Sequence, residues 1–260
     1  MTGEHLEYAL FSQGEMERRY SRARAMMAHR GIDALLVSGE ENFQYLAGTT
    51  ASIALHYSLT RPSLFILPLE RDPIIVTQGR ANLALGSYVA DLRDYTNILD
   101  FPHQLALQAL QDAGLANKRI GAELGQEQRM GIPVGAYSTL VEALPDVEFV
   151  DCADILIGLR MVKSSEELAY MRQAAAITGR ARQRLFDQVE PGMTERQVAR
   201  LIRQLILEEG GDQTAYVILQ LGIPGSGNPF HYDRPLEKGM VLAVDTGACV
   251  GMYTLSLIHI

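Results

Sequence analysis

Apolar residues in the first part of the chain recur at helical spacing or in short continuous runs. Met16, Tyr20, Ala23 and Met27 share a helical interval and Gly31 follows them, which predicts a helix over about residues 14–30. Short apolar runs bounded by turn residues predict buried strands at 33–37, 63–67, 73–77, 91–95, 119–123 and 147–150. Helical stretches at 79–88, 102–114 and 133–144 alternate with them, as is typical of an α/β domain.

The pattern changes near residue 160, where two longer helices with clear start signals are predicted. The segments 164–167 (SSEE) and 194–197 (TERQ) both fit a capping box. Strands are then predicted at 215–221 and 241–245. We expect two domains, residues 1–158 and 159–260. The second helix, which should end at Gly210 and Gly211, carries an apolar stripe of Val198, Leu201, Ile202, Leu205 and Ile206.

The last of these strands leads to the first candidate for chemistry, Asp245. We predict that the strand ends in a turn at Thr246 and Gly247, and that residues 248–253 return as the second strand of a hairpin. A carboxylate in this position binds a metal, takes part in acid–base chemistry, or bonds its own backbone in the turn. His231, fourteen residues earlier at the exit of a loop rich in Gly, Pro, Ser and Asn, is the second candidate.

Composition and charge exclude several classes of function. The net charge is −8 and no basic stripe is visible, so we expect no nucleic-acid partner. We expect no membrane association and a cytoplasmic location, because no apolar run approaches the ~18 residues that span a bilayer and no signal peptide opens the chain. Cys152 and Cys249 lack metal-ligand spacing and are expected to be small buried residues in a reducing compartment.

Two protease classes receive little support from the motifs. The Asp-Thr-Gly sequence beginning at Asp245 also occurs in aspartic proteases, where two carboxylates share one proton. Those enzymes need a second copy of the motif or a small all-β homodimer, whereas this chain has one copy and several helices. The chain also lacks the Gly-x-Ser-x-Gly turn of serine hydrolases.

Three segments in the second half, in order and at matching spacing, carry a specific resemblance. They are RMVKSSEELAYMRQAAAITGRA, VEPGMTERQVA and HYDRPLEKGMVLAVDTGA, and they resemble the pita-bread metallopeptidase family of aminopeptidase P, prolidase and creatinase. The earlier segment RRYSRARAMMAHRGIDALLVSGEENFQYLAG resembles the creatinase-type N-terminal domain of the Xaa-Pro peptidase branch. The resemblance implies an α/β N-terminal creatinase-type domain followed by a partial α+β pita-bread catalytic domain.

The resemblance also implies a site and a substrate. Family members hold two divalent metal ions (Mn²⁺, Co²⁺ or Zn²⁺) with two aspartates, a histidine and two glutamates, and the metal-bound water attacks peptide bonds next to proline. Asp245 matches the first of these aspartates. His231 matches a histidine that is not a metal ligand but contacts the substrate and helps to move protons. The expected partner is a peptide or dipeptide substrate, and the family implies a possible homodimer.

The resemblance ends close to residue 254. The family's second aspartate lies eleven residues after the first, where this chain has Ser256. The other ligands would lie further downstream, so we expect a fragment that binds no metal and is inactive, and we do not expect His259 to replace a ligand. Two alternatives stay open: a creatinase-like, metal-independent amidohydrolase, and a non-catalytic binding module of the same fold.

Overall fold

The computed structural model describes residue 6 and residues 8–50, 61–222 and 233–259, the last four without their side chains. The chain divides into two compact units, residues 1–162 and 163–260, and each has its own hydrophobic core. None of the helices in these ranges combines the length and the apolar character that a membrane crossing requires.

The first unit contains a six-stranded mixed sheet. Its strand order is β4-β3-β2-β1-β5-β6, with β2 antiparallel to both neighbours and the remaining pairs parallel. All but the outermost strands are buried almost throughout, which explains why they appear in the sequence as continuous apolar runs. The strands are β1 (Ala34–Val37), β2 (Leu64–Pro68), β3 (Ile74–Thr77), β4 (Asp91–Asp94), β5 (Arg119–Ala122) and β6 (Glu148–Asp151).

Helices cover both faces of this sheet. One core lies between the sheet and α1, α2 and α6, and a second core lies between the opposite face and α4 and α5. Both cysteines of the chain are buried and free, as expected. The helices are α1 (Gln13–Arg30), α2 (Glu40–Ala47), α3 (Arg80–Leu83), α4 (His103–Asp112), α5 (Val134–Glu142) and α6 (Ala153–Met161).

Three helical segments of this unit differ from the sequence predictions. The helix predicted over 79–88 is only the four-residue α3, because the segment contains Gly86 and turns after Leu83. Helices α2 and α6 were not predicted. Neither has a capping box, since Gly39 and Cys152 occupy the N-cap positions and neither makes a side-chain cap bond.

The second unit packs two helices on one face of a three-stranded antiparallel sheet of order β7-β8-β9. Both capping boxes are confirmed: Ser164 with Glu167 begins α7, and Thr194 with Gln197 begins α8. The predicted stripe of α8 forms much of the core. The elements are α7 (Ser165–Gln188), α8 (Glu195–Glu208), β7 (Gln213–Leu221), β8 (Leu242–Val250) and β9 (Tyr253–His259).

The predicted turn at Thr246 and Gly247 is wrong. Strand β8 continues through both residues to Val250 and pairs with β7 on one side and with β9 on the other. The hairpin turn lies instead at Gly251 and Met252, which both have positive φ, 55° and 74°. That geometry belongs to the two-residue turns that match strand twist, so Gly251 was the true turn signal.

Candidate functional site

Asp245 lies in the middle of β8, on the face of the sheet turned away from α7 and α8. Its neighbours in the strand, Val244 and Thr246, are fully buried in the core beneath those helices. Because side chains alternate along a strand, Asp245 belongs to the opposite, open face. We call this surface the open face of the second sheet. Ile218, which pairs directly with Asp245, and Tyr216 belong to it as well.

Tyr216 is the side chain that contacts Asp245. Its hydroxyl donates a hydrogen bond of 3.0 Å to Oδ1 of Asp245. A bulge in β7 between Thr214 and Val217 places an extra residue beside β8 and shifts the position of Tyr216. The hydroxyl of Thr246 donates to the carbonyl of Tyr216 at 2.7 Å, so backbone and side chain of this tyrosine are both fixed by β8.

A cationic side chain of α7 also influences this region. The Nε atom of Arg182 is buried and, within the part of the chain that is described, has no hydrogen-bond partner. Burial lowers the pKa of Arg182, and the negative charge of Asp245 acts in the opposite direction. Asp245 is therefore close enough to a guanidinium group for its charge to favour the protonated arginine.

Polar contacts hold β8 and β9 against α7. The buried hydroxyl of Thr178 accepts a hydrogen bond from the amide of Ala248 and donates one to the carbonyl of Ala174. The hydroxyl of Tyr253 donates to Glu167, whose carboxylate also caps the start of α7. These bonds fix the part of the sheet that carries Asp245.

Strand register relates Asp245 to position 256. In the pairing of β8 with β9, Asp245 lies opposite Ile258 and Gly247 lies opposite Ser256. Directly paired positions share a face and so do positions two apart in one strand. Positions 245 and 256 are therefore diagonal neighbours on the open face. The position at which the family has its second aspartate is thus adjacent to the first.

The residues present supply only part of a metal site. Asp245 offers a hard carboxylate oxygen donor of the kind that Mn²⁺ accepts. Among the side chains described in residues 6, 8–50, 61–222 and 233–255, however, no group of three or more from His, Cys, Asp and Glu is arranged to hold a metal ion. One carboxylate fits a single ligand of a metal pair, and the described residues do not complete the set.

His231 lies outside the described residues, so its relation to Asp245 stays a prediction. Contacts before and after its segment are described. The guanidinium of Arg234 donates to the carbonyl of Leu221, and the amide of Gly222 donates to the carbonyl of Val241. The two ends of the segment that contains His231 are therefore close together beside β7 and β8.

Tyr216 was not identified by the sequence analysis, although its sequence carries a usable signal. Val217, Leu219 and Leu221 alternate as core residues of β7, so the same alternation, extended back by one residue, assigns Tyr216 to the open face. The bulge that brings Tyr216 to Asp245 has no local signature, because it depends on the pairing with β8.

Family models match both units. The model of the creatinase/prolidase N-terminal domain matches residues 19–162, and the model of metallopeptidase family M24 matches residues 169–257. The predicted fold class, an α/β creatinase-type domain followed by a pita-bread domain, is confirmed by these matches and by solved structures of similar fold.

Individual relatives agree with the family models. The chain is 30% identical over 244 residues to a probable dipeptidase PepE of Mycobacterium tuberculosis, covering 90% of this chain and 60% of the relative. It is 28% identical over 229 residues to the ectoine hydrolase of Halomonas elongata, covering 80% of this chain and 55% of that enzyme. The chain thus spans about 60% or less of the length of these two relatives.

A solved structure extends the similarity to the fold. The Xaa-Pro dipeptidase from Bacillus anthracis superposes with a TM-score of 0.77 over 94% of this chain and 64% of its own, at 18% identity. At that identity the likeness concerns the fold alone. Since the family models match residues 19–162 and 169–257 in order, the chain belongs to the M24 metallopeptidase family, in the branch with a creatinase/prolidase N-terminal domain.

Proposed function

We propose that the chain is part of a peptidase that hydrolyses the bond next to proline in peptides or dipeptides with the help of two divalent metal ions. The observation that carries the proposal is the position of Asp245 on the open face, bonded by Tyr216 and diagonal to position 256. The name of a relative that is 30% identical to the chain, a probable dipeptidase, agrees with a dipeptide substrate.

Each candidate residue has a distinct role in this proposal. Asp245 is a metal ligand. Tyr216, which donates to Oδ1, is a positioning residue, because a second hydrogen-bond partner fixes the orientation of a ligating carboxylate. His231 is the catalytic residue that contacts the substrate and moves a proton, as the resemblance to the family implies.

We further propose that the 260-residue chain by itself does not bind a metal pair and does not hydrolyse Xaa-Pro substrates. A carboxylate has two oxygen atoms, whereas each divalent ion of this kind takes about six ligands, several of them from the protein. Ser256 stands where the family has a second aspartate. The remaining ligands of the family's site would have to come from residues that follow Ile260 in a longer protein.

The test compares the 260-residue chain with the product of the complete coding sequence. Calorimetry with Mn²⁺ and hydrolysis of alanyl-proline and of an Ala-Pro-Ala peptide are measured on both. We expect tight metal binding and hydrolysis for the complete product only, and we expect Asp245→Asn to abolish metal binding and hydrolysis there. A complete product that lacks downstream carboxylates, or an Asp245→Asn variant with unchanged metal content, would overturn the proposal.

His231 is tested in the same complete product. We expect His231→Ala to lower kcat by about 10²- to 10⁴-fold, the usual contribution of general acid–base catalysis, while metal content is unchanged. Loss of bound metal would make His231 a ligand, and unchanged turnover would remove it from the reaction.

A second candidate function is favoured by Ser256. A metal-independent amidohydrolase of the creatinase kind needs no second carboxylate, and the similarity to an ectoine hydrolase is compatible with a small non-peptide substrate. The two enzyme proposals differ in their response to chelation. Activity of the complete product on creatine or ectoine that survives EDTA would favour the amidohydrolase, whereas loss of Xaa-Pro hydrolysis in EDTA would favour the peptidase. A protein inactive on all these substrates would favour a non-catalytic binding module.

A further inference from the structure

A crevice lies at one edge of the six-stranded sheet of the first unit, where the chain leaves β1 and β5. These two strands are parallel neighbours, so their carboxyl ends lie at the same edge. The chain after β1 continues towards β2, on one side of the sheet, and the chain after β5 continues towards β6, on the other side. Such a divergence opens a crevice between the two connections, and open α/β sheets commonly bind ligands there.

A cavity of about 400 Å³ occupies this position. Both diverging connections contribute to its wall, and α6 adds Arg160. This volume is within the range of small-molecule sites, which is about 300–1,000 Å³. The cavity does not involve the open face of the second sheet, so this inference is independent of the proposed function. The lining residues are Glu41, Asn42, Glu127, Gln128, Arg129 and Arg160.

A buried carboxylate holds the wall of the cavity in place. Glu123 is only 3% exposed and accepts hydrogen bonds from the amides of Ser38 and Gly39, both at 2.7 Å, and from the side-chain amide of Asn42 at 2.6 Å. Burial raises the pKa of Glu123, and these donors act against that change. Asn42 is thereby fixed in one orientation.

Asn42 in turn positions the polar groups at the cavity. Its side-chain carbonyl accepts a hydrogen bond of 2.9 Å from Arg160, and its amide also donates to Gln128 at 2.9 Å. One buried residue therefore orients a guanidinium from α6 and a carboxamide from the connection after β5. A site whose side chains are fixed by a second layer of hydrogen bonds is preorganised for a ligand.

The backbone around the cavity is under two constraints. A Cβ atom at Gly39 would lie 2.5 Å from the carbonyl oxygen of Arg129, so the two connections approach too closely for any other residue. Glu127 adopts a φ of 59°, in the left-handed region that non-glycine residues rarely occupy. Backbone strain of this kind is concentrated at functional sites, and here it occurs in a residue that lines the cavity.

The charges of the lining define the ligand. Arg129 and Arg160 contribute two positive charges, and Glu41 and Glu127 contribute two negative charges. The ion pair between Arg129 and Glu41 spans 3.3 Å with side chains 86% and 51% exposed, so it is weak and can rearrange around a ligand. We infer that this cavity binds a small zwitterion with an ammonium and a carboxylate group, such as a free amino acid or a dipeptide.

Binding is tested by calorimetry on the 260-residue chain with L-alanine and with L-alanyl-L-proline. N-acetyl-L-alanine, which lacks the ammonium group, and L-alaninamide, which lacks the carboxylate, serve as controls. We expect at least one of the zwitterions to bind, and each blocked compound to bind about tenfold more weakly or not at all, because it lacks one of the two charged groups that the lining would contact. Binding of L-alanine indicates a site for a free amino acid, and binding of L-alanyl-L-proline alone indicates a site for a dipeptide.

The location is tested with variants of the lining. Arg129→Gln and Glu127→Gln change exposed side chains and should not disturb folding, while Arg160→Met removes the oriented guanidinium. We expect each to weaken binding, Arg160→Met by about tenfold. Arg119→Gln, at the opposite end of β5, is the matched control and should bind as the unmodified chain does.

Several outcomes would overturn the inference. These are the absence of binding by both zwitterions, equal binding of N-acetyl-L-alanine and L-alanine, and unchanged binding in all three lining variants. A dipeptide that binds only to the open face of the second sheet would be recognised by unchanged affinity in the lining variants and reduced affinity in Asp245→Asn.

Discussion

The hydroxyl of Tyr216 on β7 donates a hydrogen bond of 3.0 Å to Oδ1 of Asp245 on β8. The two residues are 29 positions apart in the sequence and meet because a bulge displaces Tyr216 along its strand. Thr246 fixes the carbonyl of the same tyrosine from the buried side of β8. The candidate ligand and the residue that orients it are thus held by one pair of strands.

Removing this hydroxyl should weaken metal binding without unfolding the protein. In the product of the complete coding sequence we expect Tyr216→Phe to lower Mn²⁺ affinity by about 10- to 100-fold, the usual effect of losing an outer hydrogen-bond partner of a metal ligand. Calorimetry gives the affinity and thermal unfolding of the metal-free protein checks the fold. Tyr8→Phe, which removes another exposed hydroxyl, is the control. Equal affinities in the two variants would exclude a positioning role for Tyr216.

Thr178 should contribute to the stability of the second unit through its hydroxyl. The side chain is fully buried and accepts from the amide of Ala248. Thr178→Val keeps the shape but leaves that amide without its partner, which costs about 1–3 kcal/mol. We expect a lower free energy of unfolding and faster hydrogen exchange at Ala248, whereas Thr178→Ser, which retains the hydroxyl, should keep the slow exchange. Slow exchange in the valine variant would contradict the assignment.

The hairpin turn between β8 and β9 offers a comparison of two glycines. A Cβ at Gly251 would lie 2.4 Å from the ring of Tyr170, whereas at Gly192 nothing lies within 4 Å; both residues have positive φ. Gly192→Ala should lower the free energy of unfolding only by the cost of a positive φ for a residue with a Cβ atom, about 1–2 kcal/mol. Gly251→Ala should cost more, because the ring of Tyr170 is stacked on Tyr253 and has to move. Chemical denaturation of both variants measures the difference, and equal losses would show that the ring contact is unimportant.

Much of the architecture could be predicted from the sequence because local signals and tertiary packing agree. The capping residues Ser164 and Thr194 begin helices whose apolar stripes face the core. The four inner strands of the first sheet, β1, β2, β3 and β5, are buried on both faces, and their apolar runs are therefore clear in the sequence. In such segments propensity, periodicity and burial favour the same structure.

The remaining features depend on partners distant in sequence. Arg19 is fully buried, bonded to Glu15 and to the carbonyl of Tyr45, with the rings of Phe11 and Tyr45 on its guanidinium. The local pattern alone would place an arginine at the surface. The contact of Tyr216 with Asp245 likewise depends on strand pairing. Asp245 could be chosen as a candidate from the sequence, but its predicted turn was wrong because β8 has a partner on each side.

The buried Glu123 should make the stability of the first unit depend on pH. Burial raises its pKa in the folded state above the ordinary value of 4.5, so the folded protein binds this proton more tightly than the unfolded chain. The contribution of this group to stability is therefore most favourable below the unfolded pKa and decreases as the pH rises through the folded pKa. Glu123→Gln removes this titration.

Two measurements separate that titration from the hydrogen bonds of Glu123. Near neutral pH we expect Glu123→Gln to lose about 1–3 kcal/mol, because a carboxamide places an N–H against the donors of Ser38, Gly39 or Asn42. The free energy of unfolding of both proteins is measured from about pH 4 upward, a range that begins near the unfolded pKa of a glutamate. We expect the unmodified protein to lose stability relative to the variant as the pH rises through the folded pKa. If the free energies of unfolding of the two proteins changed in parallel with pH, the pKa of Glu123 would be the same in the folded and the unfolded state.

The register of β8 and β9 makes a prediction about position 256 that needs only the 260-residue chain. Positions 245 and 256 are diagonal neighbours on the open face, about 7–8 Å apart, so two aspartates there can reach a common ion. We expect Ser256→Asp to raise Mn²⁺ affinity about tenfold over the unmodified chain, whose binding should equal that of Asp245→Asn. The gain should disappear in the double variant Asp245→Asn with Ser256→Asp, since a lone carboxylate holds the ion weakly.

Electron paramagnetic resonance of free Mn²⁺ measures the affinity of all four proteins: the unmodified chain, the two single variants and the double variant. Ser256→Glu, with a longer side chain at the same position, tests whether charge alone suffices. If the double variant bound Mn²⁺ as well as Ser256→Asp does, the two positions would not share an ion, and the assignment of Asp245 as a metal ligand would lose its structural support.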